Sequence, residues 1–127
     1  MMKILTVEDN EIIVKLMDRL MKELDFEVDH DTAFDGEEAL EKSKEKVYNL
    51  VLMDINLGED QVNGVELMKT LRQRNSYQNS SFFAITCYAL PGDKERFLGE
   101  GFNEYLPKPL NYELLLDKIR DYKAKIL

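Results

Sequence analysis

Apolar runs of this chain end, again and again, at residues able to do chemistry. Ile4-Leu5-Thr6-Val7 runs into Glu8-Asp9, and Leu50-Val51-Leu52-Met53 stops at Asp54. Phe82-Phe83-Ala84-Ile85 reaches Thr86, and Tyr105-Leu106 is followed closely by Lys108-Pro109. If these runs are parallel strands of one sheet, their ends meet at one edge of the domain. Three carboxylates then share a small region and repel one another unless a cation or a proton intervenes. Hard oxygen ligands of this kind suit Mg²⁺, which takes one or two carboxylates and keeps several waters. Lys108 adds a point charge able to hold a phosphoryl oxygen, and Thr86 adds a hydroxyl donor. An acceptor, a metal site and charge stabilisation are the main needs of phosphoryl transfer.

The elements between these runs must position them. Residues 11–25 carry Ile12, Ile13, Leu16, Met17, Leu20, Met21 and Leu24 on one helical stripe, with Asn10 as N-cap. Residues 26–32 alternate polar and apolar, as an edge strand can. Asp35 and Glu38 have capping-box spacing and open a helix through Ala39, Leu40 and Val47. A loop over residues 56–62 follows Asp54, and Asn63 and Glu66 repeat the capping-box spacing ahead of Leu67, Met68 and Leu71. Residues 75–81 read as a polar loop. Pro91 suits the first turn of a fourth helix with a thin apolar stripe, Phe97 and Leu98, and Gly99 and Gly101 suit its end. Asn111 caps a last helix with Tyr112, Leu115, Leu116, Ile119 and Tyr122 on one face. Five βα units in succession cannot pair as hairpins, so the expected fold is α/β, a doubly wound parallel sheet with helices on both faces. Sites in such sheets form at the carboxyl ends of the strands.

The 127 residues suffice for one domain, here taken as 1–127, with an ordinary 44% apolar and 33% charged composition. No apolar run nears the ~20 residues of a membrane-spanning helix, and the start shows no cleavable signal pattern. The single Cys87 allows no internal disulfide and fits a reducing cytoplasm. A formal charge of −8 repels phosphate backbones, so neither nucleic acid nor membrane is expected as a partner.

The segments Val7-Glu8-Asp9-Asn10, Met53-Asp54-Ile55-Asn56, Thr86-Cys87-Tyr88-Ala89 and Tyr105-Leu106-Pro107-Lys108-Pro109, in that order, resemble the receiver domain of two-component response regulators. The resemblance covers the whole chain. It implies a flavodoxin-like (βα)5 fold with strand order 2-1-3-4-5, an order for which a chemotaxis receiver is a standing example. It implies that Asp54 is phosphorylated by a histidine kinase or histidine phosphotransfer protein. Asp9 and Asp54 would bind Mg²⁺ directly, Asn56 through its backbone carbonyl and Glu8 through a water. Lys108 and Thr86 would contact the phosphoryl oxygens, and the Lys108-Pro109 bond would be cis. Thr86 and Tyr105 would form the switch that reshapes the face made by the fourth helix, fifth strand and fifth helix for a downstream protein effector. Asn56 and Tyr88 would flank the path of the water that ends the phosphorylated state. Two departures stand out: Gly58 replaces a common proline, and the loop centred on Gly58-Glu59-Asp60-Gln61-Val62 is longer than usual. The motifs are closest in flavour to hybrid-kinase and phosphorelay receivers, while Met1-Met2 fits a freestanding protein.

Two other functions compete. A Mg²⁺-dependent phosphohydrolase with Asp54 as nucleophile would want an acid two residues on, where Asn56 stands. A flavin module would want a Ser/Thr/Gly-rich phosphate loop where the anionic Glu8-Asp9-Asn10-Glu11 lies. Blander readings exist for single residues: Asp9 as a helix cap, His30 as an edge-strand residue without metal partners, Cys87 as a packing residue. Met17, Met21 and Met68 read as core, and the charges between Glu37 and Lys46 as a solvated helix face.

Overall fold

The computed structural model describes residues 1–55, 64–87 and 90–126. The strands are β1 Met2–Val7, β2 Val28–Ala33, β3 Leu50–Asp54, β4 Ser81–Thr86 and β5 Glu104–Pro107. The helices are α1 Glu11–Met21, α2 Gly36–Glu45, α3 Gly64–Arg72, α4 Asp93–Glu100 and α5 Tyr112–Lys125. All strand pairs are parallel, in the order 2-1-3-4-5. Side chains alternate across a strand, so each central strand feeds two cores. Val51, Met53, Phe82 and Ala84 pack with Leu67, Met68 and Leu71 of α3 and Phe97 of α4. Leu50, Leu52, Phe83 and Ile85 face the other way, onto Met17, Leu20 and Met21 of α1 and Leu115, Leu116 and Ile119 of α5. Every residue of β3 and β4 is buried, which is why both read as unbroken apolar runs.

Several expected boundaries move. α1 stops at Met21, not at residue 25. The N–H groups of Lys22, Glu23 and Leu24 bond to the carbonyls three residues back, tightening the last turn. Leu24 is still buried, but Ile12, placed on the stripe from its spacing, is 76% exposed in the first turn. β2 runs two residues later than expected at its start and is only half-buried, as an edge strand is. α2 ends at Glu45 and leaves Val47 exposed. α4 begins at Asp93 behind Gly92, so Pro91 lies ahead of the helix. Gly99 lies inside α4 and Gly101 closes it with a φ of 126°. Leu98 and Tyr112 are exposed, which leaves Phe97 as the one buried side chain of α4. The expected polar loop at 75–81 contains a 3-10 turn, Asn75–Tyr77, whose Tyr77 is fully buried, and Ser81 already belongs to β4. Cys87 is exposed just beyond β4 and packs no core. The expected cap at Asn63 lies outside the described residues.

Other local readings hold. The Glu38 N–H bonds to Asp35 Oδ1 at 2.7 Å, and Glu38 Oε1 accepts the Phe34 N–H at 2.8 Å. Asn111 Oδ1 caps α5 through the Leu114 N–H. Met17, Met21 and Met68 are core residues. His30 lies between Thr6 Oγ1 and Asp18 Oδ1, at 2.7 Å from each, and so ties β2 to β1 and α1.

The charged face of α2 is not merely solvated. Lys42 Nζ donates to the Thr32 carbonyl. Lys46 Nζ lies 2.7 Å from Asp29 and 2.8 Å from Asp31, and the Tyr48 hydroxyl donates to Asp31 at 2.6 Å. These contacts also blunt the exposed edge of β2 with charge. Burial pushes the Asp31 carboxyl up, but the hydrogen bonds from Lys46 and Tyr48 and the Lys46 charge outweigh it and hold it below its ordinary 3.8. Its contribution is therefore full above pH 3.8 and is lost as pH falls through the lowered value. Asp31→Asn is expected to cost about 1–2 kcal/mol at neutral pH and to flatten the acid limb of stability. Urea melts from about pH 2.5 to 6 read both effects, and an acid limb as steep as the parent's would rule out Asp31 as its source.

Candidate phosphoacceptor site

The turn after β1 is pinned by its own side chains. Glu8 donates its N–H to the Ala33 carbonyl, and its Oε1 accepts the Asn10 N–H at 3.2 Å. Asn10 Oδ1 in turn accepts the N–H groups of Ile12 and Ile13, at 2.9 and 3.2 Å. The cap of α1 is thus Asn10, which leaves the exposed Asp9 free of that task. Next to β1 in the sheet, β3 ends at Asp54, which is 3% exposed. Carboxylate oxygens of Glu8, Asp9 and Asp54 all lie within 4.8 Å of one another.

Lys108 reaches the same point from the end of β5. Its N–H donates to the Thr86 carbonyl at 2.8 Å, its bond to Pro109 is cis, and its Nζ lies 3.4 Å from Asp54 Oδ2 and 3.6 Å from Glu8 Oε2. Thr86 is fully buried and follows Ile85, the register partner of Asp54. Tyr105 is half-buried on β5, stacked on Phe97 of α4 with ring centroids 6.0 Å apart and planes at 15°. The structure therefore brings Glu8, Asp9, Asp54 and Lys108 into one cluster, with Thr86 buried at the adjoining strand end. Asn56, Tyr88 and the loop at residues 58–62 lie outside the described residues.

One ammonium faces three carboxylates. Burial first, and then the Asp54 charge, push the Glu8 carboxyl from its ordinary 4.5 up to about 7, with Lys108 pulling the other way. Burial lowers the Lys108 ammonium, but the charges of Asp54 and Glu8 outweigh it and hold it above its usual value. A cluster with this excess of negative charge, two of its three acids buried, and only hard oxygen donors fits a small divalent cation.

A family model for the response regulator receiver domain matches residues 4–120. The chain belongs to that family. It is a receiver domain of two-component signalling, a phosphoacceptor switch. The receiver is 33% identical over 119 residues to the polar-differentiation response regulator DivK of Brucella ovis, covering 94% of each chain. It is 32% identical over 123 residues to the signal transduction histidine-protein kinase BarA of Escherichia coli, where it covers 96% of this chain and 13% of that protein. The chain thus spans about an eighth of that kinase relative's length. Among solved structures, the receiver domain of a Pseudomonas aeruginosa sensor histidine kinase shares 26% identity at a TM-score of 0.81, with 95% of this chain and 96% of that one covered. That structure is described with a magnesium ion coordinated in its active site cleft. The chemotaxis protein CheY4 of Vibrio cholerae shares 28% identity at a TM-score of 0.81 over 96% of this chain and 98% of that one. These likenesses favour the regulatory role over the phosphohydrolase. No helix among the described residues of the receiver is long and apolar enough to cross a membrane.

Proposed function

We propose that Asp54 is the phosphoacceptor of this receiver, charged by a histidine kinase or histidine phosphotransfer protein. The observation that carries the reading is the buried Asp54 carboxylate in contact with Lys108 and clustered with two more acids. In the transfer an Asp54 oxygen attacks phosphorus, the new O–P bond forms, and the P–N bond to the donor imidazole breaks in line with it. Lys108 and the Thr86 hydroxyl hold the phosphoryl oxygens as charge moves between donor and acceptor. The donor set suits Mg²⁺, which Glu8, Asp9 and Asp54 would hold, with Asn56 as the family resemblance implies; when bound it would neutralise charge on the reacting oxygens. The domain is taken as 1–127, regulatory in itself, without enzymatic turnover on other substrates, and working in the cytoplasm. Its output goes to a protein effector, and the acidic balance of −8 argues against nucleic acid.

The test is incubation with labelled acetyl phosphate with Mg²⁺ or with EDTA, then borohydride reduction and peptide mapping. One phosphoryl group is expected, on Asp54, with Mg²⁺ only. Label on another residue, or equal label in EDTA, would reject the acceptor or the cation respectively.

The signal is expected to leave through Thr86 and Tyr105. A phosphoryl group that draws Thr86 toward it leaves room behind, and Tyr105 turns inward from its stack on Phe97, reshaping the face of α4, β5 and α5. The phosphoryl group need only favour that state by about 1–3 kcal/mol. NMR spectra with and without beryllofluoride test the route. Thr86→Ala and Tyr105→Ala are each expected to lose most of the activated shifts on α5, and full shifts in both variants would exclude it.

A further inference from the structure

Gly64 opens α3 and lies against the strand end that carries Asp54. A Cβ at this position would stand 3.0 Å from the Asp54 carbonyl oxygen, 3.0 Å from Met53 Cγ and 3.1 Å from the Ile55 α-carbon, where ordinary contact begins at 3.4 Å. Two of these three atoms are main chain and cannot swing away. Gly99 and Gly101 differ. A Cβ on Gly99 would meet nothing within 4 Å, and one on Gly101 would meet the flexible end of Met68. Gly92 and Gly101 have positive φ, 91° and 126°. At Gly64 the close approach of main-chain atoms by itself calls for a residue without a Cβ.

The far side of the strand end is held just as closely. Asp54 pairs in register with Ile85, and the Ile55 N–H donates to the Ile85 carbonyl at 3.1 Å. Lys108 holds the Asp54 carboxylate at 3.4 Å. A push from α3 is therefore expected to tilt the Asp54–Ile55 main chain against its hydrogen bond to β4 and its contact with Lys108.

We infer that Gly64 is a positioning residue for phosphoryl transfer: its bare α-carbon lets α3 seat on the Asp54 peptide and sets where the carboxylate stands relative to Lys108. The inference rests on Asp54 being the acceptor. The reaction needs the attacking oxygen in line with the leaving group, and displacements well under 1 Å matter there.

The experiment measures labelling of Asp54 by acetyl phosphate and Mg²⁺ over a range of donor concentrations. The proteins are the parent, Gly64→Ala, Gly99→Ala and the double variant Met53→Ala, Gly64→Ala, with circular dichroism and melting curves giving the folded fraction of each. Per folded molecule, Gly64→Ala is expected to lose about tenfold in saturating rate with its half-saturating donor concentration within about twofold of the parent. Gly99→Ala should keep the parent rate. The double variant relieves the side-chain contact and keeps the main-chain ones, so per folded molecule it should remain slow. A lowered melting temperature with the parent's saturating rate would overturn the inference, leaving Gly64 a packing residue. A parent rate in the double variant would also overturn it, by assigning the effect to Met53. Parent protein labelled elsewhere than Asp54 would sink the acceptor reading and this one with it, whereas equal labelling of Asp54 in parent and Gly64→Ala sinks this one alone.

Discussion

Asp54→Asn is expected to incorporate no phosphoryl group and, without divalent cations, to melt at a higher temperature than the parent. The loss follows from chemistry, since an amide oxygen cannot form the acyl phosphate. The gain follows from charge. In the parent, Glu8, Asp9 and Asp54 face one ammonium, and two of the acids are buried. The substitution removes one carboxylate and leaves Lys108 with Glu8, 3.6 Å away. Because the Glu8 carboxyl is raised from 4.5 to about 7, the folded chain keeps a proton there that the unfolded chain releases, and the repulsion is felt in full above about pH 7. Relief of about 1 kcal/mol raises the midpoint of a domain this size by about 3–5 °C. Scanning calorimetry at about pH 8 with EDTA is the measurement. The parent should also gain more from added Mg²⁺ than the variant, since a ligand at a hundredfold excess over its Kd stabilises by about 2.7 kcal/mol. A variant that melts lower than the parent in EDTA would show that the Lys108–Asp54 pair outweighs the repulsion. Any label on the variant would move the acceptor elsewhere.

The second large effect lies far from the chemistry. Tyr77→Ala is expected to cost about 3–5 kcal/mol, a fifth or more of the ~5–15 kcal/mol that holds such a domain. Tyr77 is fully buried in the core that contains Val51, Leu71 and Phe82. Its hydroxyl donates to the Lys46 carbonyl at 2.9 Å and accepts the Tyr48 N–H at 3.3 Å. One side chain thus fills space under α3 and ties down the chain between α2 and β3. Tyr77→Phe keeps the ring and strands those two polar groups, at about 1–3 kcal/mol. Urea melts give both values, and the slope should stay unchanged if the unfolded state is unaltered. A Tyr77→Ala loss below about 2 kcal/mol would mean that neighbouring chain collapses into the space.

The ease of reading this chain differs from place to place for physical reasons. Strands buried on both faces leave continuous apolar runs, so β1, β3 and β4 and the residues that end them stand out. Asn10, Asp35 and Asn111 announce helix starts because a cap needs a short polar side chain at one fixed position. Tyr77 and Tyr48 carry no such mark. An aromatic residue among polar neighbours has no period, and only tertiary structure brings the 75–77 turn beneath the sheet. Lys46 looked like any helix-end lysine, because the two aspartates that it pairs with belong to a strand fifteen or more residues earlier. Nothing in the spacing of the sequence marks Gly64, since the close approach of α3 to Asp54 is a property of packing.

β3 is buried on both faces and hydrogen-bonded along both edges, whereas α4 is bracketed by Gly92 and Gly101 and held by Phe97. Amide hydrogens of β3 can therefore exchange with solvent only when the whole domain opens, while those of α4 can exchange through a local opening that leaves the rest intact. Asp54 thus stands on a strand expected to exchange last, while α4, whose Phe97 stacks on Tyr105, keeps the looseness that a repacking face needs.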